Sequence, residues 1–154
     1  MIFITLGSQK FQFNRLLKAA DELNIDEEIF AQIGYSDYRP KNYRYKEFLD
    51  KDKFENTMSK ADVVITHGGT GAIIGAVKKG KKVIAVPRLK KYGEHVDDHQ
   101  IQLIRQFEEM NLIYACEDMD LEKALKAVKQ TEYKNYQSNT EIIIKSLEEF
   151  IDGK

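Results

Sequence analysis

A glycine-rich segment is the part of this sequence with the clearest chemical meaning. It reads Thr66-His67-Gly68-Gly69-Thr70-Gly71-Ala72 and lies between a predicted buried strand and a predicted helix. Glycines let the chain turn sharply and let a ligand approach the main chain, and the first N–H groups and dipole of the following helix attract phosphate. Thr70 can add a hydroxyl donor or cap that helix. The segment lacks the Gly-Lys-Ser/Thr of a Walker loop and the glycine spacing of the dinucleotide fingerprint, and a tight turn without a ligand is the alternative interpretation.

A second loop of this kind follows the first predicted strand, where the sequence reads Gly7-Ser8-Gln9. Loops at the ends of neighbouring parallel strands lie at the same edge of a sheet. Two such loops suit a diphosphate better than a single phosphate, whereas Gly7 alone would be weak evidence.

The segment from Pro87 to Gln100 combines cations, two histidines, three carboxylates and an amide. Arg88 and the lysines that follow it could neutralise phosphate. Asp98, His99 and Gln100 could hydrogen-bond the hydroxyls of a sugar or ribose. A solvated loop with an aspartate N-cap is the alternative, but the position of the segment beside the glycine loop favours a functional role.

The sequence offers little support for a metal or for hydrolytic chemistry. The spacing of His95, Asp97, Asp98 and His99 matches no closed zinc site. Two Asp-x-Asp pairs, at 50–52 and 118–120, fall at predicted helix starts, where acidic residues are common because of the helix dipole. We therefore expect no metal cofactor. No serine or cysteine lies in the setting of a nucleophile.

Apolar runs alternate with helical patterns along the chain. The predicted strands are Ile2–Leu6, Glu28–Ile33, Tyr43–Tyr45, Val63–Ile65, Val83–Val86 and Leu112–Ala115. The predicted helices are Phe13–Leu23, Lys51–Lys60, Thr70–Lys79, Asp98–Asn111 and Leu121–Lys129, with Gly80 at a helix C-terminus. This alternation predicts an α/β fold, a doubly wound, Rossmann-like parallel sheet whose ligand binds at the C-terminal ends of the strands.

Length and composition limit the function further. A chain of 154 residues fits one domain. Charged residues make up 32% but leave a net charge of -1, which argues against a general nucleic-acid binder. The single cysteine, Cys116, excludes an internal disulfide. With no apolar run of about 20 residues and no signal-peptide pattern, we expect a cytoplasmic protein, with attachment to a membrane through a partner left open.

The C-terminal segment Asn139–Ile151 has the pattern of an amphipathic helix. Its apolar side chains include Ile143, Leu147 and Phe150. They either cover the sheet of this chain or dock a partner protein, or a second copy of the chain when the partner is absent.

Several of these motifs together resemble a known family. The matching segments are Ile2–Gly7, Gln32–Gly34, Tyr43–Lys46, Lys60–Gly71, Gly80–Lys82, Val86–Arg88 and His99–Gln100. They are similar to the C-terminal, donor-binding domain of GT-B glycosyltransferases, in the group that contains the N-acetylglucosaminyltransferase of peptidoglycan synthesis. Short free-standing members look closer still, namely the catalytic subunit of the two-part N-acetylglucosaminyltransferase of N-glycan assembly and the galactosyltransferase subunits of bacterial capsule and exopolysaccharide synthesis.

The resemblance implies a site and a reaction. The implied donor-binding residues are Gly7, Ser8, Gln9, His67, Gly68, Gly69, Thr70, Gly71, Arg88, Asp98, His99 and Gln100. The implied reaction is inverting, metal-free transfer of a sugar from a UDP-sugar to a lipid-linked acceptor. Because a complete GT-B enzyme has two such domains, a membrane-anchored acceptor-binding partner is also implied.

Details of that reaction depend on particular residues. The run Lys90–Gln100 is most similar to the exopolysaccharide subunits, which favours UDP-galactose over UDP-N-acetylglucosamine. Gly75 stands where related enzymes often carry a glutamate that holds the ribose, so ribose is held elsewhere or nucleotide affinity is modest. Glu94 and His95 are the candidates for the general base in this chain, with a partner residue as the alternative. Rival functions are a nucleotide-sugar-binding regulatory module without chemistry and a different enzyme class on the same scaffold, such as an epimerase or phosphotransfer domain.

Overall fold

The structure is a computed structural model that describes residues 1–134. Its strands are β1 (Ile2–Thr5), β2 (Ile29–Gln32), β3 (Arg44–Lys46), β4 (Val63–His67), β5 (Lys82–Val86) and β6 (Tyr114–Ala115). Its helices are α1 (Asn14–Asp21), α2 (Lys51–Lys60), α3 (Thr70–Lys78), α4 (His99–Glu109) and α5 (Leu121–Gln130). The predicted C-terminal helix 139–151 lies outside the described residues.

The strands form one parallel sheet in the order β3-β2-β1-β4-β5-β6. The central strands β1 and β4 are buried along their whole length. Strands covered by helices on both faces read as continuous apolar runs, which explains why β1 and β4 show no polar alternation. Ile4 of β1 pairs in register with Ile65 of β4, so the carboxyl ends of the two strands lie side by side.

Helices cover both faces of the sheet. On one face, α1 and α5 pack through residues such as Leu17 and Leu125. On the other face, α2, α3 and α4 contribute Met58, Ile73 and Leu103 to a second apolar cluster. Two clusters separated by one sheet confirm the predicted doubly wound α/β fold.

Strand order reverses between β1 and β4, because β1 leads outward to β2 while β4 leads outward to β5. The loops that follow β1 and β4 therefore diverge to opposite faces and leave a crevice between them. Open α/β sheets bind ligands at this point. The crevice lies between the two glycine-containing loops that the sequence singled out.

Element boundaries differ from the prediction in ways that matter for the site. Strand β4 continues to His67, which places that residue at the carboxyl end of the strand and not in the following loop. Residue Gly69 is the N-cap of α3, so Thr70 is the first helical residue and not the cap. The prediction for Gly80 is confirmed, since it follows α3 with a φ of 72°.

Asp21 fixes the segment that leads into β3. Its carboxylate accepts hydrogen bonds from the hydroxyl of Tyr38 and from the backbone N–H groups of Lys41 and Asn42, the latter two at 2.9 Å. The residue is 9% exposed. The network is remote from the crevice and serves the fold.

Candidate functional site

The crevice between β1 and β4 opens into a cavity of about 430 Å³. The residues that line it are Gly7, Ser8, Gln9, His67, Gly68, Gly69, Thr70, Gly71, Ala72, His95, His99, Gln100 and Leu103. Ten of the twelve donor-site residues predicted from the sequence are in this set. The structure places the other two, Arg88 and Asp98, outside it.

The N-terminus of α3 faces this cavity. Its N-cap, Gly69, has no side chain to accept a hydrogen bond from the first turn. The first N–H groups of a helix have no partner within the helix, and together with the helix dipole they form a site for an anion. Gly7, with a φ of 70°, brings the opposite loop to the same cavity. This arrangement can hold a phosphate group between two loops.

The imidazole of His67 lies between the two glycine loops. A Cβ atom placed on Gly7 would lie 2.7 Å from its Nε2, and one placed on Gly69 would lie 2.3 Å from its Cε1. Any side chain at either position would therefore displace the ring. Burial lowers the pKa of His67 to about 3, and the charge of Arg88 adds to the effect. His67 is a neutral imidazole that sets the separation of the loops.

Gln100 joins the loops that follow β4 and β5. Its Oε1 accepts hydrogen bonds from the backbone N–H of Gly68 at 3.1 Å and of Arg88 at 2.9 Å. Since this oxygen accepts both bonds, the amide nitrogen faces Nδ1 of His67, at 3.5 Å. That contact favours the His67 tautomer with its proton on Nε2. Gln100 is 1% exposed and acts mainly as a support of the site.

Arg88 is held inside the protein. Its guanidinium donates to the carbonyl oxygens of Leu6 at 2.7 Å, Phe11 at 3.1 Å and Glu94 at 3.3 Å. Burial lowers the pKa of Arg88 to about 10, although the carboxylate of Glu94 opposes the shift. The side chain thus links the loop after β1 to the loop after β5. It is not available to a phosphate as the sequence had suggested.

The two general-base candidates differ in accessibility. Glu94 is 3% exposed, and its carboxylate accepts from Arg15 at 2.9 and 3.1 Å and from the backbone of Leu89 at 3.0 Å. It does not line the cavity. His95 does line it, with its ring tilted by 37° against that of Phe11 at a centroid distance of 5.8 Å. Of the two candidates, His95 alone lines the cavity.

The structure shows a hydrogen-bond partner for several of the carboxylates that the sequence analysis considered as metal ligands. Asp50 and Asp120 cap helices α2 and α5, each accepting from the N–H three residues later. These contacts agree with the interpretation of both Asp-x-Asp pairs as helix starts. Asp98 accepts from the N–H of Lys90 at 2.8 Å and lies outside the cavity lining. Asp97 also lies outside the lining, where its carboxylate contacts the rings of His95 and His99.

Sequence reasoning missed two contributors to the site. Leu103 lines the cavity from the second turn of α4, where its spacing reads only as part of an apolar helix face. Arg15 holds Glu94 from a position 79 residues earlier in the chain. Nothing local to the sequence signals that pair, because only the packing of α1 beside the β5 loop brings it together.

Comparison with known proteins identifies the family of this chain. The model of the glycosyltransferase family 28 C-terminal domain matches residues 1–153. The chain belongs to this family. Among curated relatives, the human UDP-N-acetylglucosamine transferase subunit ALG13 is 28% identical over 126 residues, which is 75% of this chain and 11% of that protein. This family member therefore spans about a tenth of the length of that relative.

Two solved structures share the fold of this chain. The solution structure of ALG13 superposes with a TM-score of 0.61 at 16% identity, over 97% of this chain and 94% of the other. MurG of Acinetobacter baumannii superposes with a TM-score of 0.54 at 19% identity, over 96% of this chain and 49% of the other. At these identities the superpositions establish the fold alone, and they confirm the predicted GT-B C-terminal-type domain.

Proposed function

We propose that this chain is the donor-binding, catalytic subunit of an inverting glycosyltransferase that uses a UDP-sugar and works with a separate acceptor-binding subunit. The single observation that carries the proposal is the cavity at the strand-order reversal, with the N-terminus of α3, whose N-cap residue is Gly69, on one side and the Gly7–Gln9 loop on the other. Family membership makes a sugar nucleotide the natural occupant.

The diphosphate of the donor lies between the two glycine loops in this proposal. Backbone N–H groups of the first turn of α3 and the Nε2–H of His67 donate to its oxygens. Donors fixed in place before the reaction stabilise the charge that develops on the leaving group without reorganising. The buried Oε1 of Gln9 has no partner among the described residues, and it can accept from a donor hydroxyl or a base N–H.

The sugar is the point on which the relatives and the local sequence pattern differ. The pattern of Lys90–Gln100 favoured galactose, whereas curated relatives of this chain are named UDP-N-acetylglucosamine transferase subunits. The names of the relatives thus support N-acetylglucosamine better than galactose, which the sequence analysis had favoured. We therefore propose UDP-N-acetylglucosamine as the donor.

The proposed partner and acceptor rest on the family and on the names of the relatives. The word "subunit" in the names of the relatives implies a further chain in those enzymes. No described helix of this protein is long and apolar enough to span a bilayer. We propose that a membrane-anchored partner brings a lipid-linked acceptor to the open side of the cavity, and that this chain is cytoplasmic and reaches the membrane through it. The acceptor proton is taken by His95 or by a residue of that partner.

Calorimetry and turnover test this function separately. Titration of the purified chain with UDP, ATP and NAD is expected to give heat with UDP alone, and equal affinity for all three would refute the donor assignment. Displacement of bound UDP by UDP-N-acetylglucosamine and, separately, by UDP-galactose shows which of the two binds more tightly. The tighter binder identifies the sugar. Transfer to a lipid-linked acceptor after the membrane partner is added excludes a regulatory module, whereas UDP binding without any transfer would favour it.

A further inference from the structure

The cavity assigned to the diphosphate is poor in positive charge. Its described lining residues include no lysine and no arginine. The guanidinium of Arg88 donates to three backbone carbonyl oxygens instead. A helix N-terminus supplies roughly half an elementary charge, whereas the diphosphate of a sugar nucleotide carries a negative charge on each phosphate. The N-terminus of α3 therefore balances only part of the charge of this ligand.

The described lining residues that can gain a positive charge are histidines, namely His67, His95 and His99. An imidazole is the side chain whose charge ordinarily changes between pH 5 and 8. Burial, helped by the charge of Arg88, lowers the pKa of His67 to about 3, so this ring stays neutral in that range. Among the described lining residues, His95 and His99 are left as sources of positive charge.

Asp97 connects these two rings from outside the cavity. Its Oδ1 lies 3.2 Å from Nδ1 of His95 and also contacts Nδ1 of His99. The centroids of the two rings lie 5.1 Å apart. The hydrogen bond with His99 is the main contact that lowers the pKa of Asp97, so the carboxylate is ionised near neutral pH. While both rings are neutral, the cluster of His95, Asp97 and His99, the rim cluster, therefore places a negative charge beside the cavity.

The groups packed against His95 do not remove this charge. The loop after β1 presents the uncharged ring of Phe11 to it. The loop after β5 brings Arg88, which donates to the carbonyl oxygen of Glu94 at 3.3 Å, and the carboxylate of Glu94 accepts from Arg15 at 2.9 Å. Arg88 and Glu94 carry opposite charges, so the response of the rim cluster to pH depends on its own members.

The surroundings of His99 make Asp97 important for protonation. His99 is the first residue of α4, where the helix dipole disfavours a cation. The adjoining carboxylate of Asp98 accepts the backbone N–H of Lys90 at 2.8 Å, and the ammonium group of Lys90 belongs to the same loop. Asp97 is thus the anion that contacts both rings and favours a proton on either of them.

We propose that the rim cluster takes up a proton from solvent when the diphosphate of the donor binds, and that its imidazoles then contact the diphosphate. The proton removes the negative charge of the cluster. A ring whose Nδ1–H faces Asp97 also presents its Nε2–H, which can form a charge-assisted hydrogen bond with a phosphate oxygen. Asp97 is a positioning residue, because it acts through the rings. The inference rests on the proposed function and names what recognises the diphosphate there.

Linkage sets the sign and the size of the effect. An ordinary imidazole titrates near pH 6.5. If the bound diphosphate makes protonation about tenfold more favourable, the protonated chain binds the donor about tenfold more tightly. The donor affinity then rises by roughly five- to tenfold between pH 8.5 and pH 6, and binding at pH 7 takes up about half a proton.

Calorimetric titration of the full chain with UDP-N-acetylglucosamine between pH 6 and pH 8.5 tests the proposal. The diphosphate of this ligand lacks the terminal phosphate that would itself titrate near pH 6, so a pH dependence reports on the protein. Titrations at pH 7 in buffers of low and high ionisation enthalpy measure the proton uptake. UDP-galactose carries the same diphosphate and replaces the first ligand if it binds more tightly. An affinity that is constant over this range, or that falls in acid, overturns the proposal.

Two variants are expected to lose the pH dependence in opposite ways. Asp97→Asn removes the negative charge without a proton, so we expect it to bind the donor at pH 8.5 about as tightly as the parent does at pH 6. The double variant His95→Gln/His99→Gln keeps the carboxylate and cannot take up the proton, so we expect weak binding at every pH. Asp26→Asn is the matched control, since this exposed carboxylate precedes β2 at the opposite edge of the sheet. It is expected to keep the pH profile of the parent.

The outcomes for the proton and for the proposed function are distinguishable. Weaker binding of Asp97→Asn at every pH indicates a purely structural role and overturns the proposal. Donor binding without proton uptake removes the proton and keeps the donor site. No binding of either UDP-sugar at any pH removes the proposed function itself. Circular dichroism verifies the fold of each variant, and Asp97→Ser makes the same test if Asp97→Asn unfolds.

Discussion

The contact between His67 and Gly69 gives the sharpest test of the site. In Gly69→Ala the new methyl group would lie 2.3 Å from Cε1 of His67, against an ordinary contact of about 3.5–4 Å between carbon atoms. The backbone of Gly69, with φ -77° and ψ 132°, accepts alanine without strain. The whole effect therefore comes from the displaced ring, which must move by more than an ångström inside a packed region.

We expect Gly69→Ala to cost about 1–3 kcal/mol of unfolding free energy, the usual range for overpacking. The displaced imidazole also enters the phosphate cavity, so the affinity for UDP is expected to fall at least about tenfold, which is about 1.4 kcal/mol. Urea unfolding and calorimetric titration with UDP measure the two effects. Gly69→Val is expected to abolish UDP binding while the fold is kept.

Gly75→Ala is the matched control, because a Cβ there meets nothing within 4 Å. It lies within α3, so alanine is expected to stabilise the protein by up to about 1 kcal/mol and to leave UDP affinity unchanged. A double-mutant cycle with His67→Ala isolates the cause, since removing the ring is expected to recover at least about 1 kcal/mol of the Gly69→Ala penalty. If Gly69→Ala costs the same with and without the His67 ring, the steric argument is wrong.

Three further predictions concern other contacts. Gln100→Ala leaves two buried N–H groups without an acceptor. We expect it to lower the free energy of unfolding in urea by about 2 kcal/mol or more and to weaken UDP binding. Gln102→Ala on the same helix is the control and is expected to change neither quantity. Asp21→Asn is expected to cost about 1–3 kcal/mol, measured by thermal unfolding, because the amide cannot accept from all three donors. Burial alone would raise the pKa of Asp21, but hydrogen bonds from Tyr38 and two backbone N–H groups outweigh it and lower the pKa below its usual value. Since the pKa of Asp21 is lower in the folded than in the unfolded state, this stabilisation is present above the unfolded pKa of about 3.9 and is lost as the pH falls through the folded pKa. The difference in unfolding free energy between the parent and Asp21→Asn is therefore expected to shrink in acid.

The fold was predictable because its signals are local. Continuous apolar runs such as Val63–Ile65 followed by glycine and then a helical pattern specify buried parallel strands and crossover helices. Boundaries were less predictable, and β3 lies one residue later than its pattern indicated. A three-residue strand at the edge of a sheet has little packing to fix its ends.

The site was predictable in its backbone and less so in its side chains. Glycines report their conformational role directly, so the loops at Gly7 and Gly69 were found from sequence. Residue types do not indicate whether Arg88 faces the ligand or the interior, because two of the three backbone carbonyl oxygens that it binds, those of Leu6 and Phe11, come from a loop distant in the sequence. Similarly, the proximity of His95, Asp97 and His99 depends on a turn whose geometry the residue types alone do not specify.

The position of Arg88 also bears on the order in which the protein acquires its site during synthesis. Its guanidinium binds carbonyl oxygens of Leu6 and Phe11, which lie 82 and 77 residues earlier in the chain. A growing chain that ends after α3 already contains both glycine loops, yet it lacks the residue that joins the first of them to the rest of the cavity. Contacts between such distant residues form late, because closing a long loop costs chain entropy before any contact compensates for it. We therefore expect a nascent chain to bind the proposed donor nucleotide only after β5 and the loop that carries Arg88 have been added.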